Sequence, residues 1–178
     1  TGCLSTTNIP NFKGLGTFLG KIYHTGEWPD QRVDFTDRRV AVLGTGSSGI
    51  QVIPVIADNA KHLYVFQRTA NYVVPAHNRP LEAEEVKQIK DNYPALRAKA
   101  KSTYSGNIFE TGGPSALLVS EEERLSEYET RWQMGGLCLM AAYEDLQSSA
   151  DANKTATQFV HAKIKDEIEE PIVANILS

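Results

Sequence analysis

Two short apolar runs in the first half of the chain predict strands. Residues 39–44 (Arg-Val-Ala-Val-Leu-Gly) form a continuous apolar run that ends at glycine, which is typical of a parallel strand buried on both faces. Residues 62–66, with β-branched and aromatic side chains, predict a second strand. A helix is expected between them, beginning at Ser47 or Ser48 and running to about Asn59. Strand, helix and strand in this order, within about thirty residues, predict one βαβ crossover.

The second half of the chain has the composition and spacing of helices. From Pro80, which can occupy a first helical turn, to Lys101 the sequence is rich in Glu, Lys and Ala, and Pro94 interrupts it. Ser120 and Glu123 have the spacing of a capping box, in which each side chain accepts a hydrogen bond from the other residue's amide. This spacing predicts a helix that begins directly after Ser120.

The helix after Ser120 should be followed by two more. It is expected to end at residues 135–136, both glycine. Its apolar face comprises Leu125, Tyr128 and Trp132. Residues 137–147 predict a short apolar helix, and Asp151 is expected to cap a last helix that Pro171 ends. The apolar positions of that last helix are Ala156, Phe159, Val160, Ile164 and Ile168.

Composition and charge narrow the classes of protein. The chain has 178 residues, 41% of them hydrophobic, and a net charge of −4, which disfavours a nucleic-acid binder. Its longest apolar runs, 40–43 and 52–57, are too short to span a bilayer. Cys3 and Cys138 are isolated, so neither a metal site nor a disulfide framework is expected, and a reducing cytoplasm is the natural location.

A glycine-rich turn between the first predicted strand and helix is the first candidate site. Its residues are Gly44, Thr45, Gly46, Ser47, Ser48 and Gly49. In such a turn the first glycine allows the tight bend, the second lets a pyrophosphate approach, and the third brings helix and strand together. Helix amides and the two serine hydroxyls can then bind the anion. The alternative is a glycine turn that binds no ligand.

The end of the second predicted strand indicates which dinucleotide binds. Enzymes that use NAD usually carry Asp or Glu there, about 20 residues beyond the glycines, to bind the ribose hydroxyls. This chain has Gln67, Arg68 and Thr69 instead. Because a guanidinium can bind a 2′-phosphate with two hydrogen bonds, Arg68 favours NADP (NADPH) over NAD. The alternative is a solvated arginine at a strand end.

A second motif, Phe-x-Gly-x-x-x-His-x-x-x-Trp-Pro, precedes the turn. Its fixed residues are Phe18, Gly20, His24, Trp28 and Pro29. From the residues alone, His24 could carry a proton, act as a hinge or pack, and Trp28 with Pro29 could form an interface; packing is favoured. Followed by Gly-x-Gly-x-x-Gly, however, the motif closely resembles the fingerprint of the flavin-dependent Baeyer–Villiger monooxygenases. Flavin-containing monooxygenases that oxygenate nitrogen or sulfur usually lack the final Trp-Pro.

The resemblance covers essentially the whole chain. Further segments that look like this family are residues 1–5, 44–51, 66–69, 74–75 and 113–115. On this ground Gln51 and Thr69 join the expected cofactor-binding residues. The resemblance implies that NADPH reduces a tightly bound FAD and that one oxygen atom of O2 is inserted into a ketone to give an ester or lactone. It also implies that His24 and Trp28 couple domain motion to catalysis.

Some parts that the resemblance implies are not in this sequence. The FAD-binding glycines are expected before Thr1 and the catalytic Lys-Arg pair after Ser178, so no catalytic residue is assigned. The chain, which begins with Thr, is expected to be a piece of a larger enzyme and to be inactive by itself. The expected fold class is α/β: a partial Rossmann-like NADP-binding βαβ unit over 37–79, preceded by a linker with the fingerprint (1–36) and followed by a helical insertion (80–178). The alternatives are a flavin-containing monooxygenase that oxygenates nitrogen or sulfur, which Trp28 and Pro29 disfavour, and a nucleotide-binding module without catalysis. The ketone and the oligomeric state are left open.

Overall fold

A computed structural model describes residues 6–103 and 106–178 of the chain. The chain divides into two compact units, and the division falls between Asn71 and Tyr72. We refer to the part before it as unit 1 and to the part after it as unit 2. The family-like segment of residues 1–5 lies outside the described residues. The domain boundaries expected from the sequence, after residues 36 and 79, stay a prediction.

Unit 1 contains the strand, helix and strand that the sequence predicts. Strand β1 (Arg39–Leu43) pairs in parallel with strand β2 (His62–Phe66), in a register that runs from Arg39 opposite His62 to Leu43 opposite Phe66. Helix α1 (Ser47–Ala57) connects them and contacts both strands. The mixed α/β class is therefore confirmed, with a two-stranded parallel sheet. Before β1 the described chain forms two single-turn 3-10 helices, Leu15–Thr17 and Thr25–Glu27, and an isolated antiparallel bridge from Thr36 to Ala60.

The strands are less buried than the sequence predicts. We expected β1 to be buried on both faces, but its residues alternate between exposed and half-buried. Leu43 is 61% exposed and Phe66, at the end of β2, is 58% exposed. The physical reason is that, within the described part of unit 1, α1 is the helix that packs on the sheet, and no third strand pairs with either edge.

Unit 2 is helical, as its composition predicts. Its helices are α2 (Ala83–Asp91), α3 (Tyr93–Ser102), α4 (Glu121–Met134), α5 (Ala150–Glu167) and α6 (Pro171–Leu177). The capping box of α4 is confirmed, because the Ser120 hydroxyl accepts from the Glu123 amide and a Glu123 carboxylate oxygen accepts from the Ser120 amide. Gly135 ends α4 with a φ of 76°, a conformation that glycine adopts without strain.

The core of unit 2 is an aromatic cluster between α4 and α5. Tyr128 is fully buried and Trp132 is 7% exposed, and both rings pack against Phe159 of α5. The buried Tyr128 hydroxyl lies 2.7 Å from the hydroxyl of Thr155, so its polar atom is satisfied. Leu125, which the sequence places on the same face, is 43% exposed. It lies a turn before the residues that contact α5.

The predicted helix over 137–147 is wrong. The chain instead forms two 3-10 helices, Gly136–Ala141 and Glu144–Gln147. The backbone of an earlier segment competes for the groups that a continuous helix would use. The amide of Gly112 donates to the Ala141 carbonyl (3.0 Å), and the amide of Glu144 donates to the Gly113 carbonyl (3.0 Å). A long-range contact therefore overrides the local helical pattern.

Three predicted helix ends are also displaced. Helix α2 begins at Ala83 rather than at Pro80, because the Glu85 carboxylate accepts from the amide of Glu82 at 2.8 Å and fixes the start there. Helix α5 is capped by Ser149, whose hydroxyl accepts from Ala152, and not by Asp151, which lies in the first turn. It ends at Glu167, which leaves Ile168 outside the helix, and Pro171 begins α6 rather than ending α5.

Candidate nucleotide-binding site

The candidate site lies where the two parallel strands of unit 1 end. The amide of Gly44, directly after β1, donates to the carbonyl of Phe66, the last residue of β2, at 2.9 Å. The glycine-rich turn and the segment 67–69 therefore leave the same edge of the sheet side by side. This edge, at the carboxyl ends of parallel strands, is where open α/β sheets bind ligands.

Each glycine of the turn has the environment expected for its role. Gly44 has a φ of +101°, which a residue with a side chain rarely adopts. A Cβ atom at Gly46 would have no heavy atom within 4 Å, so the space beside this backbone is open. A Cβ atom at Gly49 would overlap the carbonyl oxygen of Gly44 and lie 3.1 Å from its carbonyl carbon. The first turn of α1 thus lies close to the backbone that follows β1 at Gly49, as its position predicts.

The first turn of α1 can receive an anion. Gly46 is the N-cap residue and offers no side chain to the first helical amides, and the first turn contains no acidic residue. The helical hydrogen bonds begin with the amide of Ile50, which donates to Gly46 at 3.0 Å. Ser47 and Ser48 are exposed, and the Gln51 side chain donates to the Ser47 carbonyl at 2.8 Å. The amides before Ile50 and the positive end of the helix dipole favour a negatively charged ligand.

The segment after β2 places a cation and an amide beside this turn. Arg68 and Thr69 are exposed, and across residues 6–103 and 106–178 Arg68 forms no ion pair with a carboxylate. Gln67 is half-buried, and its side-chain oxygen accepts a hydrogen bond from the Thr45 hydroxyl at 2.9 Å. Gln67 is not among the cofactor-binding residues that the sequence predicts. Its position directly after the predicted strand was the available signal.

The fingerprint residues form local contacts within their own segment. The ring of Phe18 lies over Gly20, where a Cβ atom would come within 2.5 Å of a ring carbon. The Nδ1 atom of His24 accepts from the amide of Gly26 at 3.0 Å, so a neutral His24 carries its proton on Nε2. Pro29 is exposed and follows Trp28, which is 40% exposed.

The indole of Trp28 belongs to a small aromatic cluster. Its centroid lies 5.8 Å from that of Tyr23 and 6.2 Å from that of Phe35. Within the part of the chain that the structure describes, the hydrogen bonds and ring contacts of the fingerprint involve no residue of the glycine-rich turn. These contacts support packing of the segment, and they do not by themselves assign a chemical role to His24.

Two other family-like segments have structural contacts in unit 2. The Ser115 hydroxyl and the Ala116 amide both donate to the Asp145 carboxylate, at 2.6 and 3.0 Å. The hydrogen bond from Ser115 is the main cause that lowers the pKa of Asp145. The carbonyl of Pro75 accepts from the amide of Gly136 at 2.8 Å. These segments therefore fix loops to the helical core.

The described residues show neither a metal site nor a membrane span. Across 6–103 and 106–178, no cluster of three or more His, Cys, Asp or Glu side chains could hold a metal ion. In the same ranges, no helix combines the length and the apolar character needed to cross a bilayer.

Comparison with known protein families first defines a class. A model of the flavin-binding monooxygenase-like family matches residues 1–82, a range that includes the fingerprint, the glycine-rich turn and Arg68. The two motifs and the βαβ unit thus lie in the part of the chain that is similar to this family.

Individual relatives then show which kind of monooxygenase the chain is similar to. The chain is 41% identical over 178 residues to cyclohexanone 1,2-monooxygenase from Acinetobacter sp, covering 99% of this chain and 33% of the relative. It is also 41% identical to a Baeyer-Villiger monooxygenase from Pseudooceanicola batsensis, with coverage of 99% and 33%. A solved structure of OTEMO in complex with FAD and NADP superimposes with a TM-score of 0.93 at 35% identity, covering 99% of this chain and 34% of that one.

These matches confirm the predicted resemblance to Baeyer–Villiger monooxygenases. The chain is homologous to such enzymes along nearly its entire length, and it spans about a third of the length of these relatives.

Proposed function

We propose that this chain is the NADP(H)-binding part of an FAD- and NADPH-dependent Baeyer–Villiger monooxygenase that inserts one oxygen atom from O2 into a ketone. The observation that carries the proposal is that the open first turn of α1 and Arg68, which forms no ion pair within the described residues, follow strand ends that are joined by the hydrogen bond from Gly44 to Phe66. The proposal agrees with relatives named cyclohexanone 1,2-monooxygenase and Baeyer-Villiger monooxygenase, and with the superimposed structure in complex with FAD and NADP.

The residues of the site fit a dinucleotide that carries a 2′-phosphate. The space directly beside Gly46 is open, so a diphosphate could approach the backbone there, and the helix amides could donate to it. Arg68 supplies the positive charge that a 2′-phosphate requires. The residues that would hold the cofactor are Gly44, Thr45, Gly46, Ser47, Ser48, Gly49, Gln51, Arg68 and Thr69. On this basis we interpret the βαβ unit as part of a Rossmann-like NADP-binding domain.

The chain contributes binding and orientation rather than chemistry. When bound, NADPH supplies the hydride and FAD the reaction with oxygen. Helix α1 would hold the diphosphate by its amides, Arg68 would bind the 2′-phosphate, and Gly46 would let the diphosphate approach the backbone. We assign no catalytic residue to residues 6–103 and 106–178. A cytoplasmic location is part of the proposal; it rests on the isolated cysteines of the sequence and the buried free thiol of Cys138.

The test is the Arg68→Ala variant of the full-length protein, titrated with NADPH and with NADH. Loss of hydrogen bonds to a charged group costs about 1.5–3 kcal/mol, so NADPH affinity should fall roughly 10- to 100-fold while NADH affinity changes little. Arg97→Ala, which removes another exposed arginine from α3, is the matched control and should leave both affinities unchanged. Equal losses for NADPH and NADH in Arg68→Ala would contradict the assignment.

A role of His24 and Trp28 in coupling domain motion to catalysis is the second part of the proposal. The hydrogen bond from Gly26 to His24 supports it, because this bond shapes the turn that leads to Trp28. His24→Ala should lower the fraction of NADPH oxidation that yields oxygenated ketone, whereas His24→Asn, which keeps an acceptor for the Gly26 amide, should restore part of it. Unchanged oxygenation and coupling in His24→Ala would remove the idea.

A further inference from the structure

We infer that Gln67 determines the preference for NADPH over NADH, by presenting its side-chain amide N–H groups to the 2′-phosphate. The inference rests on the proposed NADP site and goes beyond it, because it assigns the choice between the two cofactors to a neutral residue as well as to Arg68.

The first argument is the position of Gln67. It is the first residue after β2, and its neighbour Phe66 accepts the hydrogen bond from Gly44 that aligns the two strand ends. NAD-dependent enzymes of this fold carry, at the end of the second strand, the carboxylate that accepts hydrogen bonds from the ribose hydroxyls. Gln67 is nearly isosteric with Glu but carries no charge, so it stands where that carboxylate would stand.

The second argument is the direction in which the amide is fixed. The Thr45 hydroxyl donates to the Gln67 Oε1 atom at 2.9 Å, and both residues are half-buried. This bond engages the acceptor side of the amide. The Nε2 atom, which has two hydrogens to donate, has no hydrogen-bond partner within residues 6–103 and 106–178. The side chain is thereby held as a donor.

The third argument is chemical complementarity. At neutral pH a phosphate group offers hydrogen-bond acceptors, except where it still carries one proton because its second pKa is about 6. It therefore matches an amide donor and the guanidinium of Arg68. A free 2′-hydroxyl would instead favour an acceptor such as a carboxylate. The Thr45 hydroxyl is therefore a positioning group: it engages the oxygen of the Gln67 amide and leaves the nitrogen to donate.

The Gln67→Glu variant of the full-length protein isolates this role. The Thr45 hydroxyl can donate to a carboxylate as well, so the local hydrogen bond is preserved while the donor is replaced by a negative charge. We expect the ratio of the Kd for NADH to the Kd for NADPH to fall by about tenfold or more, because the carboxylate repels the 2′-phosphate and accepts from the ribose hydroxyl. Binding is measured by calorimetric titration of the purified protein, independently of turnover.

Two further variants complete the experiment. Gln158→Glu introduces the same charge at an exposed position of α5 in unit 2 and should leave the ratio unchanged. Gln67→Leu removes the donor without adding charge, and it should lower NADPH affinity about fivefold or more with little effect on NADH. If Gln67→Glu does not fold, this variant still tests the inference.

The outcomes separate the inference from the function on which it rests. If the unsubstituted protein does not bind NADPH, the proposed function is overturned and Gln67 has no cofactor to select. If it binds NADPH and the ratio in both Gln67 variants stays within about twofold of the unsubstituted value, only the role of Gln67 is overturned. An equal loss of affinity for both cofactors would show that the hydrogen bond between Thr45 and Gln67 is merely structural, and it would also overturn the inference.

Discussion

Gly46 and Gly49 differ in what surrounds them, so alanine at one should affect cofactor binding and alanine at the other should affect stability. At Gly49 a methyl group would overlap the Gly44 carbonyl oxygen, a backbone atom that cannot rotate away. At Gly46 it would meet no heavy atom within 4 Å, and the backbone, with a φ of −75°, accepts alanine. Gly49→Ala should therefore destabilise the protein, and Gly46→Ala should impair cofactor binding without doing so.

The magnitudes follow from the same contacts. Overpacking costs typically about 1–3 kcal/mol, and an overlap with backbone at Gly49 belongs at the upper end. The better helix propensity of alanine offsets about 1 kcal/mol of it, which leaves a net loss of about 2 kcal/mol. At Gly46, alanine lowers the conformational entropy of the unfolded chain, which stabilises the protein, but it is a poorer N-cap residue than glycine, which destabilises it. Each effect is worth less than about 1 kcal/mol, and the two oppose each other.

Thermal unfolding and cofactor titration of the full-length protein distinguish these effects. For a domain of 150–250 residues, about 2 kcal/mol corresponds to a fall in Tm of about 4–8 °C, which we expect for Gly49→Ala only. For Gly46→Ala we expect an unchanged Tm and a loss of NADPH affinity of about tenfold or more, because the methyl group fills the approach to the helix amides. The reasoning is refuted if Gly46→Ala binds NADPH normally, or if Gly49→Ala unfolds at the unsubstituted temperature.

Two predictions concern unit 2. Trp132→Ala removes a side chain that is 7% exposed and should lower the free energy of unfolding by about 3–5 kcal/mol. Leu125→Ala, on the same helix and 43% exposed, should lower it by less than about 1 kcal/mol. Equal losses of the two variants in denaturant unfolding would contradict the assigned core. The ion pair with Arg79 lowers the pKa of Glu85 from 4.5 to about 2, so its contribution to stability is complete above pH 4.5 and disappears as the pH falls towards 2. A carboxyl titration followed by NMR should show this low pKa, and Arg79→Ala should return it towards 4.5.

The sequence predicts best those features whose causes lie within a few residues. Strand β2 has the expected bounds and β1 ends one residue before its predicted end at Gly44, because both strands coincide with short apolar runs. The capping box at Ser120 and the glycine stop at Gly135 are likewise local and are confirmed. The order of the candidate site along the chain, from the glycine-rich turn to Arg68, could be read for the same reason.

Features that depend on distant contacts escape such reasoning. The segment 136–147 is divided into two 3-10 helices because Gly112 and Gly113, more than twenty residues earlier, bond its backbone. The hydrogen bond between Thr45 and Gln67 joins residues 22 positions apart, and nothing in the local pattern of either residue predicts it. The packing of Phe18 over Gly20 is local, but a sequence motif does not show the direction in which a ring folds.

The exposed two-stranded sheet of unit 1 affects how these 178 residues should behave when they are produced alone. Within residues 6–103 and 106–178, no further strand pairs with the outer side of β1 or β2, and hydrophobic rings such as Phe66 are exposed beside these edges. Such ribbons recruit further strands from neighbouring molecules and precipitate. Recombinant preparations of these 178 residues alone should therefore cluster as their concentration rises, and charged substitutions at Leu43 or Phe66 should keep them dispersed.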